Sequence, residues 1–307
     1  MDNAAEELQQ HLANRGFKST IVSIHHLPEL RKDLEQLLES KFLNREFYDE
    51  IVSRYGLFWD CKPPEDFPKA ESIILVAAQV LKVRVPLTLS GKTSCVIIPP
   101  NYLNNTDEII EEIFSHYSRN NNLRFSTAML PEKLLAVCCG LARYGRNNIA
   151  YIDGWGSYFR LRAFFSDVPC LQENWQEVKM MELCGSCSAC RKMCPTGAIC
   201  EERFLIRCER CLAFYNEGSE DFPEWIDSSW HNCLIGCMIC QDVCPANKKF
   251  TGWMDEGEAF TEDETMMIWD GIPMDKLPRV MVEKLRKLNM IDEYGLLRRN
   301  LRVLIKN

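Results

Sequence analysis

The sequence of 307 residues has no apolar run approaching the roughly 18 residues that a helix needs to span a bilayer. It also has no excess of basic residues, since 36 Lys and Arg stand against 44 Asp and Glu for a net charge of −8. An acidic chain is a poor general binder of nucleic acid, because phosphate contacts need clustered Lys and Arg. These absences predict a protein with no membrane partner and no dedicated nucleic-acid-binding domain.

Other signals are also missing. The N-terminal stretch lacks a positive n-region, an apolar h-region and a twin-arginine pair, which predicts a cytoplasmic protein. The glycine-punctuated turn at 140–145 does not have the Gly-x-Gly-x-x-Gly spacing of a Rossmann nucleotide site. The sequence contains no tandem repeat and no low-complexity tract, so a single chain of ordinary globular domains is expected.

Cysteine is abundant instead. The chain has 16 cysteines, and eleven of them lie between Cys184 and Cys244. In a reducing compartment, cysteines at such short spacings are metal ligands more often than disulfide partners. Eight of them form two runs that each end in Cys-Pro: Cys184, Cys187, Cys190 and Cys194, then Cys233, Cys237, Cys240 and Cys244.

The first run has the Cys-x2-Cys-x2-Cys-x3-Cys-Pro spacing that holds two cubane clusters in bacterial ferredoxins, where the fourth cysteine ligates the other cluster. This rule assigns Cys184, Cys187, Cys190 and Cys244 to one [4Fe–4S] cluster. It assigns Cys194, Cys237 and Cys240 to the other. Spacing alone leaves the last ligand open among Cys200, Cys208, Cys211 and Cys233. Zinc is the alternative metal, since Cys-x2-Cys pairs also bind zinc.

The rest of the chain predicts a mixed α/β fold. We expect an α/β domain at 1–175, a ferredoxin-like double-cluster domain at 176–250 and a helical C-terminal segment at 251–307. The expected elements are strands at 72–81 and 93–98, helices at 4–15, 28–42, 106–117 and 131–143, a hairpin of 149–152 with 158–165, and a capping box at Thr261–Glu264 followed by helices at 278–288 and 296–305.

Several stretches resemble epoxyqueuosine reductase. Residues 184–199 and 236–247 are similar to the two cluster runs of that family, and Arg210-Cys211 is similar to a segment that supplies a cluster ligand. The resemblance therefore selects Cys211 as the eighth ligand. The stretches at 140–147 and 156–159 are similar to the family's corrinoid domain, an architecture that also occurs in reductive dehalogenases.

The resemblance implies an N-terminal corrinoid-type domain that binds cobalamin facing one cluster. Electrons would pass from a low-potential donor such as a ferredoxin or flavodoxin, through both clusters, to cobalt. Small basic clusters at Lys248-Lys249 and Arg298-Arg299 are candidate docking points for such a donor. The cofactor-binding positions implied by the resemblance are Gly145, Asn147, Ala150, Gly156, Ser157, Leu161 and Met238.

The sequence departs from the family at two places. Ser126 stands where the family has its proton-donating aspartate, and a hydroxyl is a far weaker acid than a carboxyl. The chain ends at Asn307, where longer family members continue into helical repeats that help to hold transfer RNA. Two hypotheses follow: a corrinoid-dependent reductase whose substrate is not transfer RNA, or an electron-transfer or reductive-activation protein without a substrate of its own.

Overall fold

The computed structural model describes residues 2–55, 61–104, 106–172, 174–202 and 204–305. Its helices in these ranges are α1 (Asp2–Asn14), α2 (Leu27–Glu39), α3 (Arg45–Tyr55), α4 (Asp107–Asn121), α5 (Glu132–Cys138), α6 (Ala189–Met193), α7 (Leu212–Asn216), α8 (Ile239–Asp242), α9 (Glu262–Asp270), α10 (Arg279–Lys287) and α11 (Tyr294–Ile305). The strands are β1 (Lys18–Ser23), β2 (Ser72–Gln79), β3 (Lys82–Leu89), β4 (Lys92–Ile98), β5 (Phe125–Thr127), β6 (Arg143–Tyr144), β7 (Ala150–Tyr151), β8 (Phe159–Ser166) and β9 (Met254–Glu256).

The chain forms two compact units that alternate along the sequence. Unit 1 comprises residues 1–79, 106–187 and 203–205, and unit 2 comprises residues 80–105, 188–202 and 206–307. The domain boundaries that the sequence suggests, at 175 and 250, stay predictions. Among the described residues, no helix combines the length and the apolar character that crossing a membrane requires.

Unit 1 is built on an antiparallel sheet in the order β1-β2-β8-β5. Strand β2 is apolar from Ile73 to Ala78, and both of its faces are covered. Ile74 and Val76 belong to a core cluster with residues of α1 and α4, whereas Ile73 and Leu75 belong to a second cluster with residues of α2 and α5. Burial of each such side chain contributes about 1.5–3 kcal/mol. The predicted strand at 72–81 is therefore confirmed as a central strand.

The predicted hairpin of 149–152 with 158–165 is wrong. Strand β7 pairs with β6, while β8 lies between β2 and β5 in the main sheet. The turn between β7 and β8 closes locally, with the Ile152 N–H donating to the Gly156 carbonyl at 2.9 Å. Strand β8 is buried along one face and buried or half-buried along the other, so packing in the sheet interior outweighs pairing with its neighbour in sequence.

Unit 2 contains a small sheet in the order β4-β3-β9. Strands β3 and β4 form a hairpin whose turn residues Ser90 and Gly91 have φ of 51° and 71°, as a tight primed turn requires. Helices α9, α10 and α11 supply much of the core that covers this sheet. The predicted capping box is confirmed: Thr261 accepts from the Glu264 N–H, and the Glu264 carboxylate accepts from the Thr261 N–H.

Candidate metal centre

The cysteine runs lie on short helices and on the turns that flank them. Cys190 is in α6 and Cys240 is in α8, and these two helices pack against each other in unit 2. Cys194 and Cys244 follow the helices in extended backbone, because the prolines after them disfavour helical geometry. Of the predicted ligands, Cys184 and Cys187 belong to unit 1, and unit 2 contains Cys190, Cys194, Cys211, Cys237, Cys240 and Cys244.

Cys211 lies in a group of thiols within unit 2. It precedes α7, and its burial raises the pKa of its thiol to about 12, with further increases from Cys237, Cys208 and Cys194. Cys194 and Cys237 are ligands that spacing had already assigned to the second cluster. A thiol so hard to ionise becomes a ligand only if a metal supplies the compensating positive charge.

Cys233 has different surroundings. Its thiol donates to Asn232 Oδ1 at 3.1 Å, and burial raises its pKa well above the usual range. The charges that act on it most are those of Cys237 and Asp242, with a smaller opposing effect from Lys82.

The loop before Cys237 is held by buried amides from outside the cysteine motif. Asn216 Nδ2 donates to the carbonyls of Cys233 at 3.1 Å and Gly236 at 2.9 Å. Asn300 Nδ2 donates to the carbonyls of Leu234 at 2.9 Å and Asn216 at 2.8 Å. Both asparagines are fully buried. They fix the loop, and sequence reasoning missed them because they lie at long range from the cysteines they serve.

Gly236 is required by geometry in this loop. Its φ is +66°, and a Cβ at this position would lie 2.4 Å from Tyr102 Oη. Tyr102 Oη in turn donates to the carboxylate of Glu217, just after α7. The close approach of backbone and ring therefore explains the glycine before Cys237.

An ion pair joins β3 to α8. Lys82 Nζ lies 3.0 Å from Asp242 Oδ1, and the lysine side chain is 8% exposed while the aspartate is 41% exposed. This contact ties the helix that contains Cys240 to the small sheet of unit 2. The exposed aspartate weakens the pair, because water screens its charge.

Arg146 holds the first run within unit 1. Its Nη2 donates to the Cys184 carbonyl at 2.5 Å and its Nε to the Cys187 carbonyl at 3.3 Å. Nearby, the Met181 N–H donates to the Tyr144 carbonyl at 2.8 Å. The glycine turn at 140–147 and the first cysteine run are therefore joined through an arginine that sequence reasoning did not single out.

The seven positions assigned to the corrinoid pack against the protein itself. A Cβ on Gly145 would lie 2.6 Å from both Asn147 Oδ1 and Tyr151 Cε2, and Asn147 Nδ2 donates to Tyr151 Oη at 3.0 Å. A cobalamin bound at these positions would meet small and apolar side chains, with Asn147 already bonded to Tyr151. The positions stay predictions, and all are buried: Gly145, Asn147, Ala150, Gly156, Ser157, Leu161 and Met238.

Ser126 lies in β5 opposite Phe165 and is half-buried. Six residues later, Glu132 begins α5 and accepts the Ala163 N–H of β8 at 3.1 Å. Burial is the main cause that raises the pKa of the Glu132 carboxyl to about 7. This carboxyl holds a proton up to near-neutral pH. The Ser126 hydroxyl, in contrast, is a far weaker acid than a carboxyl. A glutamate in the first turn of a helix is ordinary in sequence, so no signal pointed to it.

The candidate basic docking points differ from each other in the structure. Lys248 and Lys249 are exposed. Arg299 is engaged within unit 2, where its Nη2 donates to the Tyr215 carbonyl at 2.8 Å and its guanidinium lies 3.9 Å from the centre of the Phe222 ring. Arg299 is therefore a structural residue rather than a free surface charge. Among the described residues, no three His, Cys, Asp or Glu side chains converge closely enough to hold a single metal ion.

Comparison with known proteins finds the same resemblance as the cysteine runs. Residues 183–247 match the family model for a 4Fe-4S double cluster binding domain. An epoxyqueuosine reductase from Cyclobacterium marinum is 33% identical over 123 residues, which is 40% of this chain and 38% of that relative. One from Escherichia coli K12 is 25% identical over 264 residues, which is 81% of this chain and 66% of that relative.

A solved structure of epoxyqueuosine reductase from Bacillus subtilis covers 98% of this chain and 80% of its own, with a TM-score of 0.65 and 18% identity. The chain resembles epoxyqueuosine reductases and has their fold. The predicted fold class is therefore confirmed, as is the iron–sulfur type of the cysteine region. The chain spans 38% and 66% of the length of the two curated relatives.

Proposed function

We propose that this chain is an iron–sulfur oxidoreductase of the epoxyqueuosine reductase type that moves electrons through two [4Fe–4S] clusters. The observation that carries the proposal is the match of residues 183–247 to a double-cluster domain, a segment that contains both cysteine runs and Cys211. Cysteines at these spacings suit a polynuclear iron centre better than isolated chemistry at one thiol.

The ligand sets of the proposal follow the spacing and the resemblance. Cys184, Cys187, Cys190 and Cys244 hold the first cluster. Cys194, Cys211, Cys237 and Cys240 hold the second cluster. The cysteines themselves bind and orient iron. The amides around Gly236 and the guanidinium of Arg146 fix the loops that carry these cysteines, so the loops need little further ordering when the clusters bind.

The acceptor in this proposal is a cobalamin, as the resemblance implies, and it would supply a strong reductant at cobalt. A low-potential one-electron carrier of the ferredoxin or flavodoxin type supplies the electrons, with Lys248 and Lys249 as exposed candidates for its docking. The substrate is proposed to be something other than transfer RNA, because Ser126 replaces the family's acid and the net charge is acidic.

The second candidate is an electron-transfer or reductive-activation protein that passes electrons to a corrinoid or redox partner. Two observations favour it: Ser126 lacks a carboxyl, and the positions assigned to the corrinoid are buried by the protein itself. Cobalamin binding separates the two candidates. We expect anaerobically reconstituted protein to retain cobalamin at roughly micromolar concentration, and no detectable binding would favour the second candidate.

The substrate is tested in a bacterial strain that lacks its own epoxyqueuosine reductase. We expect the wild-type chain to restore little or no queuosine in transfer RNA. The Ser126→Asp variant is the matched control, since it supplies the missing carboxyl. Full rescue by the wild-type chain would contradict the proposed substrate. Rescue only by Ser126→Asp would show that transfer RNA still binds and that the acid alone is lacking.

A further inference from the structure

Asn232 donates a side-chain hydrogen bond to the sulfur of Cys237, a predicted cluster ligand. Its Nδ2 lies 3.3 Å from Cys237 Sγ. The same nitrogen also donates to the Trp230 carbonyl at 3.0 Å. Both N–H groups of the amide are therefore in use, and one of them points at the sulfur that the proposed function assigns to the second cluster.

The orientation of this amide is fixed by its other end. Asn232 Oδ1 accepts the Met238 N–H at 2.8 Å and the Cys233 thiol at 3.1 Å. A backbone N–H can only donate, so the atom facing Met238 must be the oxygen. The nitrogen consequently faces Cys237. A flipped amide would place its NH2 group against the Met238 N–H and its oxygen against Cys237 Sγ, so neither of these two hydrogen bonds would form.

The environment of Cys237 agrees with this geometry. Its thiol is half-buried and accepts the hydrogen bond from the Asn232 side chain. Donors that face a sulfur stabilise negative charge on it. Among cluster ligands, such hydrogen bonds are one of the factors that set reduction potential.

We propose that Asn232 is a positioning residue for the second cluster and that its Nδ2–H···Sγ bond to Cys237 raises the reduction potential of that cluster. The inference rests on the proposed function. When the cluster takes up one electron from a low-potential carrier, no bond forms or breaks and its thiolates become more negative. The hydrogen bond is then stronger in the reduced state than in the oxidised state.

The proposal gives Cys233 a role without making it a ligand. Its thiol is a donor to Asn232 Oδ1, so it helps to hold the amide in place. Removing this thiol leaves the Met238 N–H on the same oxygen. Cys233→Ala is therefore the matched control: it changes the neighbourhood of Asn232 but keeps the bond from Nδ2 to Cys237.

The test is a redox titration of both clusters, followed by electron paramagnetic resonance, on anaerobically reconstituted full-length protein. For Asn232→Ala we expect the equilibrium constant for reducing one cluster to fall about tenfold, which is about 59 mV for one electron. The other cluster should not change, and Cys233→Ala should leave both nearly unchanged. Two retained clusters with wild-type potentials in Asn232→Ala would overturn the inference while leaving the proposed function intact.

A second readout uses the wild-type protein, in case Asn232→Ala loses a cluster. Protein labelled with ¹⁵N only in asparagine side-chain amides should show hyperfine coupling between one amide nitrogen and the reduced cluster. The absence of that coupling would overturn the inference. Wild-type protein that binds no iron–sulfur cluster at all would instead overturn the proposed function, so the two failures are distinguishable.

Discussion

The two units use buried polar side chains in different ways. In unit 2, Asn216, Asn232 and Asn300 all bind the loop before Cys237, and one of them reaches the sulfur. In unit 1, Glu132 bonds to the backbone of β8, and Asn147 bonds to Tyr151 beside the glycine turn. These three asparagines of unit 2 are therefore organised around the loop before Cys237, whereas Glu132 and Asn147 of unit 1 stabilise the scaffold.

The largest expected effect separates two cysteines of unit 2. Cys211→Ser should lose one of the two clusters, about half of roughly eight irons, because it removes a ligand. Cys233→Ser should keep both, since a hydroxyl can still donate to Asn232. Iron and sulfide analysis after anaerobic reconstitution measures this. Equal iron loss in both variants would contradict the ligand assignment.

The buried amides of unit 2 give the next effect. Asn300→Leu leaves the carbonyls of Leu234 and Asn216 without the donor that each now has. An unsatisfied buried carbonyl costs about 1–3 kcal/mol, so the unfolding temperature should fall by several degrees. Arg298→Leu, an exposed change on the same helix, is the control. A variant as stable as the wild type would show that these amides do not hold the loop.

Glu132 tests the scaffold of unit 1. Its folded-state pKa of about 7 lies above the usual 4.5, so the folded chain binds this proton more tightly than the unfolded chain. The stability that the protonated carboxyl contributes is present at low pH and is lost as the pH rises from about 4.5 to 7.

Glu132→Gln mimics the protonated acid at every pH. We therefore expect the variant to match the wild type near pH 4 and to be more stable by up to about 3 kcal/mol near pH 8. Thermal unfolding of protein with equal cluster content measures the difference. A difference that does not change with pH would show that Glu132 is ionised throughout this range.

The smallest effect concerns the first cysteine run. Arg146→Lys keeps the charge but loses the planar fork that reaches two carbonyls. We expect cluster loss to a chelator to be about two- to fivefold faster, on the order of 1 kcal/mol or less. Arg143→Lys, at an exposed neighbouring position, should not change the rate. Identical rates of cluster loss in both variants would show that Arg146 does not hold the first cysteine run.

Local patterns predicted the parts of this protein whose causes are local. The spacing of the cysteines, the capping box at Thr261 and the apolar strand at Ser72–Gln79 each contain their reason within a few residues. The sequence did not predict β3, where Pro86 interrupts an otherwise strand-like pattern. In the structure, β3 is nevertheless the middle strand of its sheet.

Long-range contacts explain what sequence reasoning missed at the site. Asn300 is 66 residues from the Leu234 carbonyl that it binds, and Arg146 is 38 residues from the Cys184 carbonyl. Neither has a spacing that marks it. Asn232 is only five residues before Cys237, but an asparagine in a loop is ordinary, and its orientation becomes clear only when the Met238 N–H is placed.

Metal analysis of the wild-type chain, purified without oxygen, tests the central claim most directly. We expect about eight irons and eight acid-labile sulfides per chain and little zinc, as two [4Fe–4S] clusters require. Reduction should produce the paramagnetic signals of two clusters. A colourless protein that contains zinc at the cysteine runs and no sulfide would contradict the account.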